Sequence, residues 1–241
     1  MRALIDLLRE SRHTVVFTGA GVSTLSGIPD FRGEQGIYRR VDGDLVFDLG
    51  VFLRDPGIFY THGRDLVYGA ADHAPSIVHT ECARLEAAGK VAGVITQNID
   101  MLHQRAGSRT VVELHGSPAR HSCLGCDRRY DFAWARERVA RGEIPRCAGC
   151  GGVVKPDITF FGELLPDGAL ERAGDLAAAA DLLLVLGSSL VVQPAASIPL
   201  ITCRCGGRLV IVNHGATPLD RYADLRYDDL ASVFARVAAE V

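Results

Sequence analysis

The sequence predicts an α/β fold built on a doubly wound parallel sheet, and three observations carry that expectation. Five short runs of β-branched and aliphatic residues recur along the 241 residues, at 14–21, 91–100, 110–116, 181–189 and 208–215, each closing in small or polar residues. Such runs, lacking polar alternation, are what strands buried on both faces look like. Helix-like stretches, such as 76–88 and 167–180, lie between them, and strands alternating with helices imply parallel pairing with helical crossovers. The composition, 48% hydrophobic and 23% charged, fits a globular chain with one substantial core and a small accessory module. In a sheet of this kind ligands bind beyond the carboxyl ends of the strands, so all five polar clusters are expected on one edge.

The N-terminal segment MRALIDLLRESRH carries charges every few residues and lacks the apolar run of a signal peptide. The most apolar stretch, 177–196, contains Asp181, Gly187, Ser188, Ser189, Gln193 and Pro194, which reads as a helix end and a buried strand rather than a membrane span. A formal charge of −3, with both signs interspersed, gives no basic face for nucleic acid. The expectation is a cytoplasmic protein with no nucleic-acid or membrane partner. Two segments interrupt the strand–helix alternation. Residues 34–74 carry glycines, Pro56 and scattered aromatic residues, and read as a loop followed by short helices. Residues 119–154 hold the paired cysteines and few apolar residues, so this module needs a metal in place of a core.

Four of the seven cysteines form two CxxC pairs, Cys123 with Cys126 and Cys147 with Cys150. Each pair suits a tight turn that points two thiolates at one ion, and two such turns complete a tetrahedral zinc site. Four thiolates leave no open position, so the zinc is expected to be structural. Gly125, Gly149, Gly151 and Gly152 are read as supplying the turns. Redox dithiols are the competing reading. Cys82 is read as a small core residue, and Cys203 with Cys205, taken to lie at a strand start, as inert in preference to weakly redox-active.

At the sheet edge, Gly19-Ala20-Gly21 follows a strand directly and would let backbone amides approach a pyrophosphate. As a dinucleotide fingerprint it is imperfect, because Thr24 stands where a third glycine belongs. Gly187-Ser188-Ser189 adds a second small turn and Asn213 offers a ribose or base contact, so the three together favour a nucleotide. Gln97-Asn98-Ile99-Asp100 places amides and a carboxylate where buried polar groups need partners, either a bound carboxamide with its ribose or a helix-capping turn. His115, before Gly116, is a candidate general base or an interior hydrogen-bonded histidine. His62, His73, His79 and His103 are read as structural or solvated.

Taken jointly, the segment from Gly19 to Arg32 (GAGVSTLSGIPDFR), Thr96-Gln-Asn-Ile-Asp100, His115-Gly116, the two CxxC pairs, Phe161-Gly162-Glu163, Gly187-Ser-Ser189 and Asn213 closely resemble the sirtuin family, in the family's order. The bacterial zinc-containing deacetylases are the most similar branch, through FFGELLP and GSSLVVQPA. The resemblance implies a large Rossmann-like domain (1–33, 75–118 and 155–241), a cofactor loop and helical insertion (34–74) and a zinc module (119–154). It implies NAD as co-substrate, acetylated-lysine proteins or peptides as partners, and transfer of the acyl group to ADP-ribose with release of nicotinamide. By the same resemblance, Gly19, Ala20, Gly21, Thr24, Asp30, Arg32, Gly187, Ser188, Ser189 and Asn213 line the cofactor site, with the main chain near Leu230 at the adenine. Phe31 shields the reacting sugar, Ile99 and Asp100 hold the carboxamide, and Gln97 and Asn98 order the ribose and a water. His115 and Asn98 are the catalytic candidates. The substrate peptide is expected to add as a strand between the loop carrying Thr159, Phe161, Gly162 and Glu163 and the loop carrying Val192.

Two departures bear on acyl preference. Thr159 stands where the family usually has valine. Tyr60 and Arg64 are spaced one residue wider than the Tyr-x-x-Arg pair of desuccinylating members, so deacetylation is expected over desuccinylation. Rival readings are a mono-ADP-ribosyltransferase, a nicotinamide dehydrogenase and a non-catalytic zinc module. The last leaves the strand-end clusters without a purpose.

Overall fold

The computed structural model describes residues 1–30, 36 and 43–241. In chain order these form α1 (Arg2–Glu10), β1 (Thr14–Thr18), α2 (Gly21–Thr24), α3 (Gly43–Val46), α4 (Leu49–Arg54), α5 (Pro56–His62), α6 (Arg64–Val67), α7 (Ile77–Ala87), β2 (Val91–Thr96), α8 (Leu102–Ala106) and β3 (Val111–Glu113). There follow β4 (Gly116–Cys123), β5 (Arg129–Asp131), α9 (Phe132–Ala140), β6 (Val154–Ile158), α10 (Ala169–Ala179), β7 (Leu182–Leu186), α11 (Pro199–Arg204), β8 (Arg208–Val212), β9 (Leu225–Tyr227) and α12 (Leu230–Glu240).

All five expected strands form, and with a sixth, β9, they pair in parallel in the order β3-β2-β1-β7-β8-β9. The order reverses between β1 and β7, which opens a crevice at their carboxyl ends. Every residue of β1 and β7 is buried, as the unbroken apolar runs require. β9 had no such signature, because a three-residue edge strand, Leu-Arg-Tyr, buries little. Alternate strand residues face opposite layers. Val16, Leu184 and Val210 pack against Leu4, Leu8, Val78, Leu85 and Phe234 of α1, α7 and α12. Phe17, Leu183 and Ile211 pack against Ala173 and Ala177 of α10 on the other face. Cys82 lies wholly buried in the first layer, as a core residue. α7 is capped by Ser76, whose side chain and backbone form a capping box with His79 in place of the usual Glu or Gln.

A second, antiparallel sheet runs β5-β4-β6. It begins at Gly116 and its last strand ends at Ile158, so it extends on both sides of the cysteine segment. The helices α3–α6 have no core of their own. They close over Phe160, just beyond β6, through a cluster of Phe47, Phe52, Phe59 and Tyr60, with Phe52 and Phe160 edge to face at 5.2 Å. Tyr68 reaches the other way, stacking on His121 and Phe132 with its hydroxyl 2.8 Å from His121 Nε2. Among the described residues no helix is long and apolar enough to cross a membrane.

Candidate active site

The polar clusters that end the strands converge on a single cavity of about 1200 Å³. Gly19–Gly21 after β1, Gln97–Ile99 after β2, His115 after β3, Gly187–Ser189 after β7 and Asn213 after β8 all line it. The turns after β1 and β7 interlock. Gly21 N–H donates to Gly187 O at 2.9 Å, and a Cβ on Gly19 would stand 2.7 Å from that same oxygen. A Cβ on Gly187 would meet Val22 N at 2.6 Å, and its φ of +60° is one that L side chains rarely adopt. Glycine is therefore needed on both sides of the crevice.

The end of β2 is wired into this contact. Gln97 donates through Nε2 to Ser188 Oγ at 2.7 Å. Asn98 is buried, with Nδ2 donating to Gly19 O and Ser23 Oγ, both at 3.1 Å. Ser23 Oγ in turn donates to Asp100 Oδ2 at 2.6 Å, while Asp100 Oδ1 accepts Leu102 N–H at 2.9 Å. Asp100 thus caps the next turn and braces Asn98 through Ser23. Behind this layer lie His79 and His103, both fully buried, with ring centroids 4.6 Å apart. Thr18 Oγ1 gives its proton to Thr96 Oγ1 at 2.8 Å, so it accepts from His103 Nε2 at 3.0 Å. Burial holds both histidines neutral, lowering His79 to about 4 and His103 to about 3.

His115 is half-buried at the cavity wall. Its Nδ1 is 2.8 Å from Gln97 O, a carbonyl that only accepts, so Nδ1 carries the proton and Nε2 keeps its lone pair. Burial lowers its pKa, with the Gln97 carbonyl opposing. Its own carbonyl accepts Thr159 N–H at 2.8 Å, which ties this residue to the segment after β6. Thr159, Phe161, Gly162, Glu163 and Val192 border the same cavity.

The four cysteine sulfurs lie within 4.8 Å of one another, at the ends of β4 and before β6. Adjacent sulfurs approach to 3.4 and 3.6 Å, close to the edge of about 3.8 Å for a tetrahedron with zinc–sulfur bonds of about 2.3 Å. Gly125 N–H and Gly149 N–H donate to Cys123 and Cys147 Sγ, and Tyr130 OH adds a third donor. The donor set fits zinc with all four positions closed. Of the four glycines expected to shape the turns, only Gly151 takes a positive φ; a Cβ on Gly125 or Gly152 would instead crowd Cys150 Sγ at 3.3 Å.

A Sir2 family model matches residues 19–194, well over half of the chain. The chain belongs to the Sir2, or sirtuin, family. It is 47% identical over 240 residues to a Thermotoga maritima protein named NAD-dependent protein deacetylase, covering 100% of this chain and 97% of the relative. It is 44% identical to NAD-dependent protein deacylase 2 of Archaeoglobus fulgidus, covering 100% and 96%. A solved Sir2 structure with a deacetylated p53 peptide and 3'-O-acetyl ADP-ribose superposes with a TM-score of 0.94 at 46% identity, covering 100% of this chain and 98% of its own.

Several expected sirtuin residues fall elsewhere. Thr24 ends α2 with its hydroxyl donating to Gly21 O, and Leu230 opens α12 against the sheet core; neither borders the cavity. Asp30 does border it, while Phe31 and Arg32 lie outside the described residues. Tyr60 is buried with its hydroxyl donating to Val154 O at 2.5 Å, and Arg64 is exposed beside Asp65, so neither offers a carboxylate site in the cavity. Cys203 and Cys205 sit at the C-terminal end of α11, not at a strand start. Ser23 carries no sequence signal of its own, although it is the small hydroxyl of the first motif that reaches both Asn98 and Asp100.

Proposed function

We propose that this sirtuin is an NAD-dependent protein lysine deacetylase, which moves the acyl group of an acetylated lysine to ADP-ribose and releases nicotinamide and free lysine. The observation that carries this reading is the free Nε2 of His115 in a cavity ringed by all five strand-end clusters. The cavity's volume exceeds the range of about 300–1,000 Å³ usual for one small ligand, which leaves room for a dinucleotide and an inserted side chain.

NAD, when bound, supplies an electrophilic ribose carbon and a leaving nicotinamide. Every other contribution belongs to the chain. Gly19, Ala20, Gly21, Asp30, Ser188, Ser189 and Asn213 hold the phosphates and the adenosine half, and the glycine interlock keeps the backbone close enough to do so. Gln97, Asn98 and Ile99 orient the nicotinamide end, and Asp100 acts from behind through Ser23. An amide oxygen is a weak nucleophile, so most of the rate must come from positioning. His115 accepts a proton from a ribose hydroxyl at Nε2, and the Gln97 carbonyl stabilises the imidazolium that forms. The buried Tyr60 supports preference for acetyl over succinyl groups. Gly162 N–H and Leu164 N–H have no partner among the described residues, which supports capture of the peptide by strand addition. The domain division at 34–74 and 119–154 follows the same reading, and a reduced four-thiolate centre supports a cytoplasmic location.

Substitution His115→Ala tests the assignment. Turnover of an acetylated peptide falls by about 10²- to 10⁴-fold while peptide affinity stays near wild type; an undiminished rate removes His115 from the mechanism.

A further inference from the structure

Glu163 borders the cavity, yet its charge is spent elsewhere. Its Oε2 accepts from Lys155 Nζ at 2.8 Å and from Phe160 N–H at 2.7 Å. Lys155 lies in β6, only 6% exposed. Its ammonium also donates to Ile158 O at 2.8 Å and Pro156 O at 3.2 Å, and sits 4.3 Å over the Phe160 ring. All three ammonium protons are thereby used. A buried ammonium with a single carboxylate partner is costly to leave unpaired, and burial does pull the Lys155 pKa down against the opposing pull of Glu163.

The segment between these two charges is the one that faces the substrate. Thr159 N–H is held by His115 O at 2.8 Å, and Phe161 pairs with the insertion through Phe47 O at 2.7 Å and Leu49 N–H at 3.1 Å. Gly162 then turns the chain with φ +92°. Upstream contacts therefore fix residues 159–161. Downstream of Gly162, the side-chain contact that returns the turn onto Phe160 is the Glu163 carboxylate, supported by its own N–H on Phe160 O at 3.0 Å. Leu164, the next residue, is 94% exposed and borders the cavity.

We infer that Lys155 is a positioning residue: through its ion pair with Glu163 it holds the Phe160–Leu164 turn in the conformation whose free main-chain groups pair with the substrate peptide. The inference rests on the deacetylase reading for its substrate and adds to it a residue that touches neither peptide nor NAD. Glu163 then acts through the loop backbone rather than as a direct peptide contact. A charge-assisted bond at this place sets the affinity for peptide, whereas the NAD end of the cavity is held by different elements.

The test is steady-state kinetics with an acetylated peptide and NAD on Lys155→Met, Lys155→Arg and Glu163→Gln, each checked for zinc content and circular dichroism. Lys155→Met and Glu163→Gln raise the peptide KM about tenfold, the loss of one charge-assisted hydrogen bond, while kcat and the NAD KM stay within about twofold. Lys155→Arg keeps the charge and recovers most of the loss. Should Lys155→Met fail to fold, Glu163→Gln decides alone, since it is nearly isosteric and still accepts from Phe160 N–H. A peptide KM within about threefold of wild type in Glu163→Gln, or peptide and NAD KM rising by the same factor, overturns the role of Lys155. Absence of turnover by the wild-type protein overturns the deacetylase reading itself, and this inference with it.

Discussion

Substitution Gly187→Ala probes the contact on which the cofactor edge depends. A methyl at this position faces two costs. The φ of +60° is left-handed, worth about 1–2 kcal/mol for an L side chain. The methyl also meets Val22 N at 2.6 Å and Gly21 C at 2.7 Å, backbone atoms that cannot rotate away, and overpacking of this kind costs about 1–3 kcal/mol. Gly89 provides the control. Its φ of +74° imposes the same conformational cost, but nothing lies within 4 Å of where its methyl would stand. Gly89→Ala should lose about 1–2 kcal/mol and Gly187→Ala about 2–5 kcal/mol in urea unfolding. Relieving the contact from 2.6 Å to an ordinary 3.4 Å moves the turns apart by about 0.8 Å. Misplacement on the order of 1 Å can cost about 10²-fold in rate, so kcat/KM for NAD should fall by at least tenfold in Gly187→Ala and stay near wild type in Gly89→Ala. If the two variants match in both unfolding and NAD kinetics, the glycine interlock is not what shapes the site.

The remaining predictions concern protons and metal. His115 must be deprotonated to act, and burial lowers its pKa, so kcat/KM should fall with acid along a limb whose midpoint lies below the ordinary 6.5, measured from pH 5 to 8. His79 and His103 have folded-state values depressed from 6.5 to about 4 and about 3, so the stability they contribute is complete above pH 6.5 and is lost as pH falls through those lower values. His79→Asn should flatten the acid limb of a stability-versus-pH curve; an unchanged limb would refute the burial argument. Around the cysteines the buried cluster is small, Cys123, Cys147 and Val154 with Tyr130 and Trp134 against them, so Cys126→Ser or a strong chelator should release one zinc per chain and unfold the cysteine knuckles by near-ultraviolet circular dichroism, while the parallel sheet keeps its far-ultraviolet signal.

What could be read from the sequence followed from how local each signal was. Five of the six strands of the parallel sheet announced themselves as short apolar runs, the three-residue edge strand β9 excepted, and the tetrathiolate set did because each CxxC pair is a local turn. The convergence of the polar clusters on one edge followed from parallel pairing, which puts every carboxyl end on the same side of the sheet. Contacts between residues far apart in sequence left no such trace. Gly19 and Gly187 each looked like an isolated turn, and only the reversal of strand order presses them together. Ser23 had no signal of its own within the first motif, and only the fold places it between Asn98 and Asp100. The spacing of Tyr60 from Arg64 already spoke against a carboxylate-binding pair, but its burial in the aromatic cluster around Phe160 left no trace in the sequence. Strand β4 was hidden because what it buries is Gly116, Pro118, His121 and Cys123 in place of an apolar run, β6 because Lys155, Pro156 and Asp157 interrupt it, and the Lys155–Glu163 pair because a change of direction separates its members.

The central claim is tested most directly by mass spectrometry of an acetyl-lysine peptide incubated with the protein, with and without NAD. The account predicts loss of the acetyl group only when NAD is present, with O-acetyl-ADP-ribose and nicotinamide formed in equal amounts. An untouched peptide together with ADP-ribose attached to protein would contradict it and assign the cavity to transfer of ADP-ribose instead.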